Sequence, residues 1–283
     1  MKAIDRVLAA RDKDRPKITD YIENVFTDFF EQKGDFLGKE DGSIYGGIAL
    51  FHGKTVTVLG HRKGKTVEEN VACNFGMPGP EGYRKAMRIM RQAEKFNRPI
   101  ITFVDTPGAY PGLEAEMYGQ SQAIAANLAE MSTLKVPVIS IVTGEGSSGG
   151  ALGIAVANRV YMLENAIYSV LSPEGFASIL WHDSEKRDEA AEVMKLTAAD
   201  LLEFGVIDGI ISERGSTLSV VEGQEITDAH SRLYTRIDKQ ITAALKELEG
   251  FSKEEIAAER FDKFRNIDAR FIETKSKARM GNV

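Results

Sequence analysis

"TGEGSSGGALGIAVAN", Thr143 to Asn158, follows a short apolar run, Val136 to Val142, that reads as a buried strand. The stretch is a glycine-rich turn from strand to helix, and its reading decides the fold. Two known motifs fit it at once. Gly144-x-Gly146-x-x-Gly149 matches the dinucleotide fingerprint, and Gly146-x-Ser148-x-Gly150 matches the elbow of serine hydrolases. A dinucleotide site wants an acidic residue about 20 positions on, for which Glu164 is the candidate. That fingerprint opens the first βα unit of its fold, however, and here several elements precede it. A hydrolase needs Ser, acid and His in that chain order. Only His182 and His230 follow Ser148, with Asp183 or Asp208 as the acid, and nothing in the spacing demands that set.

A third reading uses no reactive side chain. Consecutive glycines at a helix start leave backbone N–H groups unpaired and aimed at one spot. Gly149 and Gly150 carry no side chain, so a ligand can come close. Such a pair is a natural oxyanion hole. The bland alternative is that the glycines only permit tight helix–strand packing. A second turn, DTPGAYPG from Asp105 to Gly112, favours the hole, because it follows another strand-like run, Pro99 to Val104. Ligands in open α/β sheets bind at that end of the strands. Asp105 is expected either to cap its own turn or to orient the neighbouring loop.

Working outward, the elements alternate. A β hairpin is expected from Ser43 to Phe51 and Lys54 to Leu59, turning at His52-Gly53. Helices are expected over Tyr83 to Phe96, Ala115 to Leu134 and Gly149 to Ala157, with short strands at Val160 to Leu163 and Ile167 to Leu171. Residues 1–35 read as helical, with Thr19-Asp20 as cap and Tyr21, Ile22, Val25, Phe26, Phe29 and Phe30 at helix-like spacing. Pro173 sits at the first helical position after Ser172, and the chain turns mainly helical beyond it. From Gln224 onward charged amphipathic helices are expected, with Leu233, Ile237, Ile241, Leu245 and Leu248 as one apolar stripe. The pattern argues for α/β layers.

Composition narrows the function. The formal net charge of −6 disfavours a generic nucleic-acid binder, such as an RNA-binding regulator. One cysteine, Cys73, excludes a disulfide framework and a cysteine zinc site within the chain. The N-terminus shows no apolar signal segment, and no stretch reaches the roughly 20 apolar residues of a membrane span. A cytoplasmic protein is expected.

Four blocks in order carry a resemblance: NFGMPGPEGYRKAMR (Asn74 to Arg88), PIITFVDTPGAYPG (Pro99 to Gly112), GEGSSGGALGI (Gly144 to Ile154) and YSVLSPEGFASILW (Tyr168 to Trp181). Over about residues 16–214 the chain resembles the α subunits of bacterial multi-subunit acetyl-CoA carboxylase carboxyltransferases. The resemblance implies a crotonase-like (ClpP/crotonase) α/β spiral of ββα units with helical segments at both ends. The division it suggests is a helical segment at 1–35, a carboxyltransferase core at 36–214 and a C-terminal helical segment at 215–283. It implies transfer of a carboxyl group from carboxybiotin to acetyl-CoA, giving malonyl-CoA, the committed step of fatty-acid synthesis.

The same resemblance implies the partners. Biotin would arrive on a biotin carboxyl carrier protein and would not be attached to this chain. A zinc-finger β subunit would supply the acetyl-CoA side, in an α2β2 heterotetramer. Biotin carboxylase, the ATP-using component, would belong to the larger complex. No metal is expected in this chain. Carried over by position, the hole for the biotin ureido oxygen falls on the N–H groups of Gly149 and Gly150. Gly108, Ala109, Gly146 and Ser148 are the expected substrate-binding residues. The released biotin enolate is the expected base for the acetyl proton. The alternative is a self-contained hydrolase using Ser148.

Three departures stand out. The chain starts late relative to many members, LEAEMY (Leu113 to Tyr118) looks variable, and Ser147 stands where glycine is frequent. Ser147 is tolerated only at an ordinary φ. The basic loop at His61 to Lys65 reads either as a phosphate or partner contact or as a solvated turn. Arg84, Lys85, Arg88 and Arg91 read as a solvated helix face or a partner face. Phe176 and Trp181 read as core or subunit interface.

Overall fold

The apolar runs Ile100–Thr106 (β4) and Val138–Ser147 (β5) are buried along their whole length. Strands buried on both faces belong in the middle of a parallel sheet covered by helices. The computed structural model places them there and describes residues 1–215 and 230–267. Ile44–Phe51 (β2) and Lys54–His61 (β3) form the expected hairpin. Its turn residues His52 and Gly53 both have positive φ, 48° and 76°, as a tight primed turn requires. Thr27–Glu31 (β1) pairs antiparallel with β2 at one edge. Beyond β3 the sheet is parallel through β4, β5, Arg159–Leu163 (β6) and Gly209–Ile211 (β8). The strand Ile167–Ser169 (β7) leaves this path and pairs with the last residues of β5. So β5 carries β6 along Ile139–Val142 and β7 along Glu145–Ser147.

The helices are Ala3–Ala10 (α1), Ile18–Val25 (α2), Val67–Ala72 (α3), Pro80–Lys95 (α4), Leu113–Met117 (α5), Gln120–Thr133 (α6), Ser148–Leu152 (α7), Pro173–Trp181 (α8), Arg187–Met194 (α9), Ala198–Glu203 (α10), Ser231–Leu248 (α11) and Lys253–Arg265 (α12). The crossovers β3–α4–β4 and β4–α6–β5 step the same way, so their right-handedness puts α4 and α6 side by side on one face. Phe103 of β4 stacks on Tyr21 of α2 at 5.1 Å, and Tyr234 of α11 meets Tyr21 edge-on at 6.0 Å. Leu233, Ile237, Ile241 and Leu248 are buried and Leu245 partly so, as the apolar stripe predicts. The expected tail residues 224–229 and 268–283 lie outside the described residues.

Several expectations are corrected. The helical spacing read through Phe29 and Phe30 does not continue. Helix α2 starts after Lys17, whose N–H donates to Asp20, and Phe26 is already extended. Residues 27–31 then pair with β2, with a bulge at Asp28 (φ 53°). Two adjacent aromatics, Phe29 and Phe30, define no period of their own, and pairing with the edge of β2 decides for the strand. The expected helix 115–134 is broken at Gly119, φ 84°, into α5 and α6. The expected helix 149–157 stops at Leu152. Strand β5 runs on to Ser147 because β7 gives its end a partner. Strand β8 was unforeseen, since three residues carry no readable period.

Candidate active site

At the end of β5 the backbone turns sharply into α7. Ser147 keeps an ordinary φ of −113°. The left-handed residue is Ser148, with φ 56° and an exposed side chain. Gly149 follows half-buried and Gly150 buried. A Cβ on Gly150 would sit 2.5 Å from Ala109 N and Gly108 C. The β4 turn therefore rests directly on the glycine pair, and only a bare Cα permits it. A Cβ on Gly149 would meet nothing closer than Ile124 at 3.6 Å. The structure thus brings together Gly108, Ala109, Ser148, Gly149 and Gly150. Gly146 stands apart from them: it is buried in β5, paired to Thr106 and Tyr168 on either side.

The second loop has its own lock. Thr106 Oγ1 accepts the Gly108 N–H at 3.0 Å and donates to Gly108 O at 2.8 Å. That engages the Gly108 N–H and leaves Ala109 N as the amide packed against Gly150. Behind the pair, the Gly150 carbonyl accepts from Tyr83 Oη and from His61 Nε2, both at 3.2 Å. Burial pushes His61 down to about 4, against the pull of Asp105, so the ring is neutral and its proton sits on Nε2.

Beneath the turns lies a chain of charges, buried at Asp105 and Glu145 and half-buried at Lys63, Arg11 and Glu174. Asp105 Oδ1 accepts the Glu145 N–H at 3.0 Å and Lys63 Nζ at 2.7 Å. Lys63 also reaches Glu145 Oε2 at 3.1 Å. Arg11, at the C-terminal cap of α1, donates to Glu145 at 2.7 Å and to Glu174 of α8 at 2.8 Å. Burial alone would raise the Asp105 carboxyl; Lys63 and the Glu145 amide outweigh it and hold it below the usual range. Burial likewise opposes the Lys63 charge, and Asp105 with Glu145 raises it again. Asp105 therefore orients the neighbouring loop rather than its own turn.

The basic loop after β3 is divided between the interior and the surface. Lys63 points inward, and Lys65 binds Asp20 at 2.5 Å. On α4, Lys85 is buried and donates to Glu40 and to Ile44 O, while Arg84 pairs with Asp35 and Arg91 with Glu130. Phe176 and Trp181 meet edge-to-face at 5.6 Å, both half-buried. Ser172 caps α8 by accepting the Gly175 N–H at 3.1 Å. Among the described residues no histidine bonds Ser148, so the elbow-like φ comes without the base a hydrolase needs. Nor do they hold a cluster of three or more His, Cys, Asp or Glu side chains fit for a metal.

Beside the turn opens an apolar cavity of about 360 Å³, lined by Ser148, Gly149, Leu152, Tyr168, Val170 and Phe264 among others. Clefts of that size and character hold small ligands with a few polar anchors. The inward orientation of Asp105 was one of two sequence expectations. The roles of Arg11, Lys63 and Tyr83 carried no sequence signal, because their partners lie 134, 42 and 67 positions away.

Residues 1–268 match the family described as "Acetyl co-enzyme A carboxylase carboxyltransferase-like". The chain is 55% identical over 269 residues to the acetyl-coenzyme A carboxylase carboxyl transferase subunit alpha of Bacillus cereus (strain B4264), covering 94% of this chain and 80% of that one. The protein of the same name from Bacillus thuringiensis (strain Al Hakam) is 54% identical over the same share. Among solved structures, transcarboxylase 12S superposes with a TM-score of 0.65 at 20% identity over 84% of this chain, which spans 44% of that one. The Pseudomonas malonate decarboxylase heterodimer gives 0.61 at 19% identity, covering 83% of this chain and 91% of that one. These structural likenesses show the fold, the crotonase-like α/β architecture expected from the sequence. With the match to the family along nearly its whole length, the chain belongs to the acetyl-CoA carboxylase carboxyltransferase α subunits.

Proposed function

We propose that this chain is the carboxybiotin-side subunit of a biotin-dependent carboxyltransferase that makes malonyl-CoA from acetyl-CoA. The observation that carries the site is the abutment of Gly150 on Gly108 and Ala109, next to an apolar cavity that Ser148 and Gly149 line. The cavity suits an apolar bicyclic ring, and the amides at its rim suit the polar ureido edge. Carried in on its carrier protein, biotin supplies a transferable carboxyl group. The chain's own residues hold and polarise it. The N–H groups of Gly149 and Gly150 face the oxygen on which negative charge collects, with Gly108, Ala109 and Ser148 forming the surrounding wall and Gly146 behind them in β5. Helix α7 is a single turn, so direct N–H donation outweighs any dipole field. Among the described residues the nearby titratable groups are engaged: Asp105 and Glu145 in ion pairs, His61 on a carbonyl. That supports leaving proton abstraction to the substrate pair.

The partners follow from this reading: a zinc-finger β subunit carrying the acetyl-CoA side, the biotin carboxyl carrier protein, and biotin carboxylase in the larger complex, with α2β2 stoichiometry. So do the division at 1–35, 36–214 and 215–283 and a cytoplasmic location. No helix among the described residues is long and apolar enough to cross a membrane. The test is malonyl-CoA-dependent carboxylation of a free biotin derivative, with the chain alone and with the β subunit added. Activity only in the mixture supports a shared site. Activity from the chain alone overturns the split site, and none in a confirmed complex returns Ser148 to consideration.

A further inference from the structure

The β4–β5 ladder breaks just before both loops of the site. Val104 pairs with Val142, and the next pair is Thr106 with Gly146. One residue of β4, Asp105, thus stands opposite three of β5, Thr143, Gly144 and Glu145. Backbone groups left over by such a bulge need other partners. Side chains supply them. Glu145 N–H goes to Asp105 Oδ1 at 3.0 Å, Thr143 Oγ1 donates to Val104 O at 3.3 Å, and Arg15 Nε donates to Thr143 O. Gly144 has no room for a side chain, since a Cβ would lie 2.3 Å from Asp105 Oδ1. Lys63 grips that same oxygen and Glu145 Oε2, so the carboxylate is fixed from two sides.

We propose that Asp105 is a positioning residue: its carboxylate stands in for the missing ladder partner of Glu145 and so sets where Gly149 and Gly150 lie against Gly108 and Ala109. This rests on the functional reading above. Both arms are short. Gly108 follows Asp105 by three residues, through the Thr106 lock, and Gly149 follows Glu145 by four. A shift at the bulge therefore reaches the cradle with little to absorb it. A misplacement of about 1 Å at a reacting centre costs on the order of 10²-fold in rate.

The experiment measures the reverse carboxylation of free biotin by the complex with the β subunit, together with amide hydrogen exchange across residues 143–151. Asp105→Ala removes both the acceptor of the Glu145 N–H and the charge that fixes Lys63. Its kcat is expected to fall about 10²-fold with KM for malonyl-CoA within about twofold. Adding Lys63→Met removes the orphaned ammonium, so Tm recovers while kcat stays low, which a purely structural role would not give. Ile241→Ala destabilises a core helix at the opposite end of the sheet and is expected to keep kcat below its own Tm. If Asp105→Ala does not fold, Gly144→Ala takes its place, since its Cβ displaces the same carboxylate. A kcat within about threefold of an active wild type overturns the proposal. If the wild-type complex transfers no carboxyl group, the functional reading has failed. Exchange then decides alone: a tenfold or greater acceleration confined to 143–151 supports the positioning role, and unchanged exchange refutes it.

Discussion

Gly149 and Gly150 look equivalent in the sequence and are not so in space. An added methyl on Gly150 collides with three backbone atoms of the other loop, which cannot rotate away, whereas one on Gly149 makes ordinary contact with Ile124. Gly150→Ala is therefore expected to lower carboxyl transfer by roughly 10²–10³, the scale of losing one oxyanion donor. Gly149→Ala is expected to stay within about tenfold of wild type, and the reverse assay with the β subunit measures both. At Ser148 the strain is local. Its φ of 56° disfavours any side chain. Ser148→Gly is expected to raise stability by about 0.5–1 kcal/mol, read as a Tm rise of about 2 °C. Ser148→Ala is expected to retain most activity, because the donors are backbone; loss of all activity would revive a nucleophilic serine. The glycine pair was legible because residues without a side chain announce close approach. The strained position was not: the unusual residue in the motif is Ser147, yet the left-handed turn falls one residue later.

Elements became legible in proportion to their length and periodicity. The hairpin, α4, β4 and α11 declare themselves. The bulge between β4 and β5 does not, because register is a property of two strands and the sequence shows each alone. Strand β3 illustrates a further limit. It delivers His61 into the interior, where its ring serves the Gly150 carbonyl. The folded state keeps this imidazole neutral down to about 4, while the unfolded chain takes up its proton near 6.5. Protons then bind the unfolded state preferentially, so stability is lost as pH falls from about 6.5 toward about 4. The full effect is on the order of 3 kcal/mol at one pKa unit per 1.36 kcal/mol. Urea midpoints at pH 7 and pH 5 read the slope. His61→Gln, which keeps an N–H donor and cannot titrate, is expected to flatten it above the carboxylate range.

For the molecule as a whole, the described C-terminal helices are a structural closure. Arg260 of α12 is buried and donates to the carbonyls of Met131, Leu134 and Val136 and to Asn158 Oδ1, at 2.6–2.8 Å. Burial pulls the guanidinium down to about 10, still charged at neutral pH. Arg260→Leu leaves buried acceptors unpaired and is expected to cost about 3 kcal/mol, seen as a Tm lowered by about 10 °C. Phe264, one turn on, lines the cavity beside Ser148, so the same variant is expected to weaken capture of free biotin, raising its KM. An intact Tm would show that α12 docks by other means. There is also a consequence in time. A ribosome adds roughly 5–20 residues per second, so the 129 positions between Met131 and Arg260 take on the order of ten seconds to make. Through that interval the central strands exist while the carbonyls at the end of α6 still wait for their donor. The nascent chain is thus exposed longest along the groove that α12 will fill, and a truncation anywhere before residue 260 would leave it open for good.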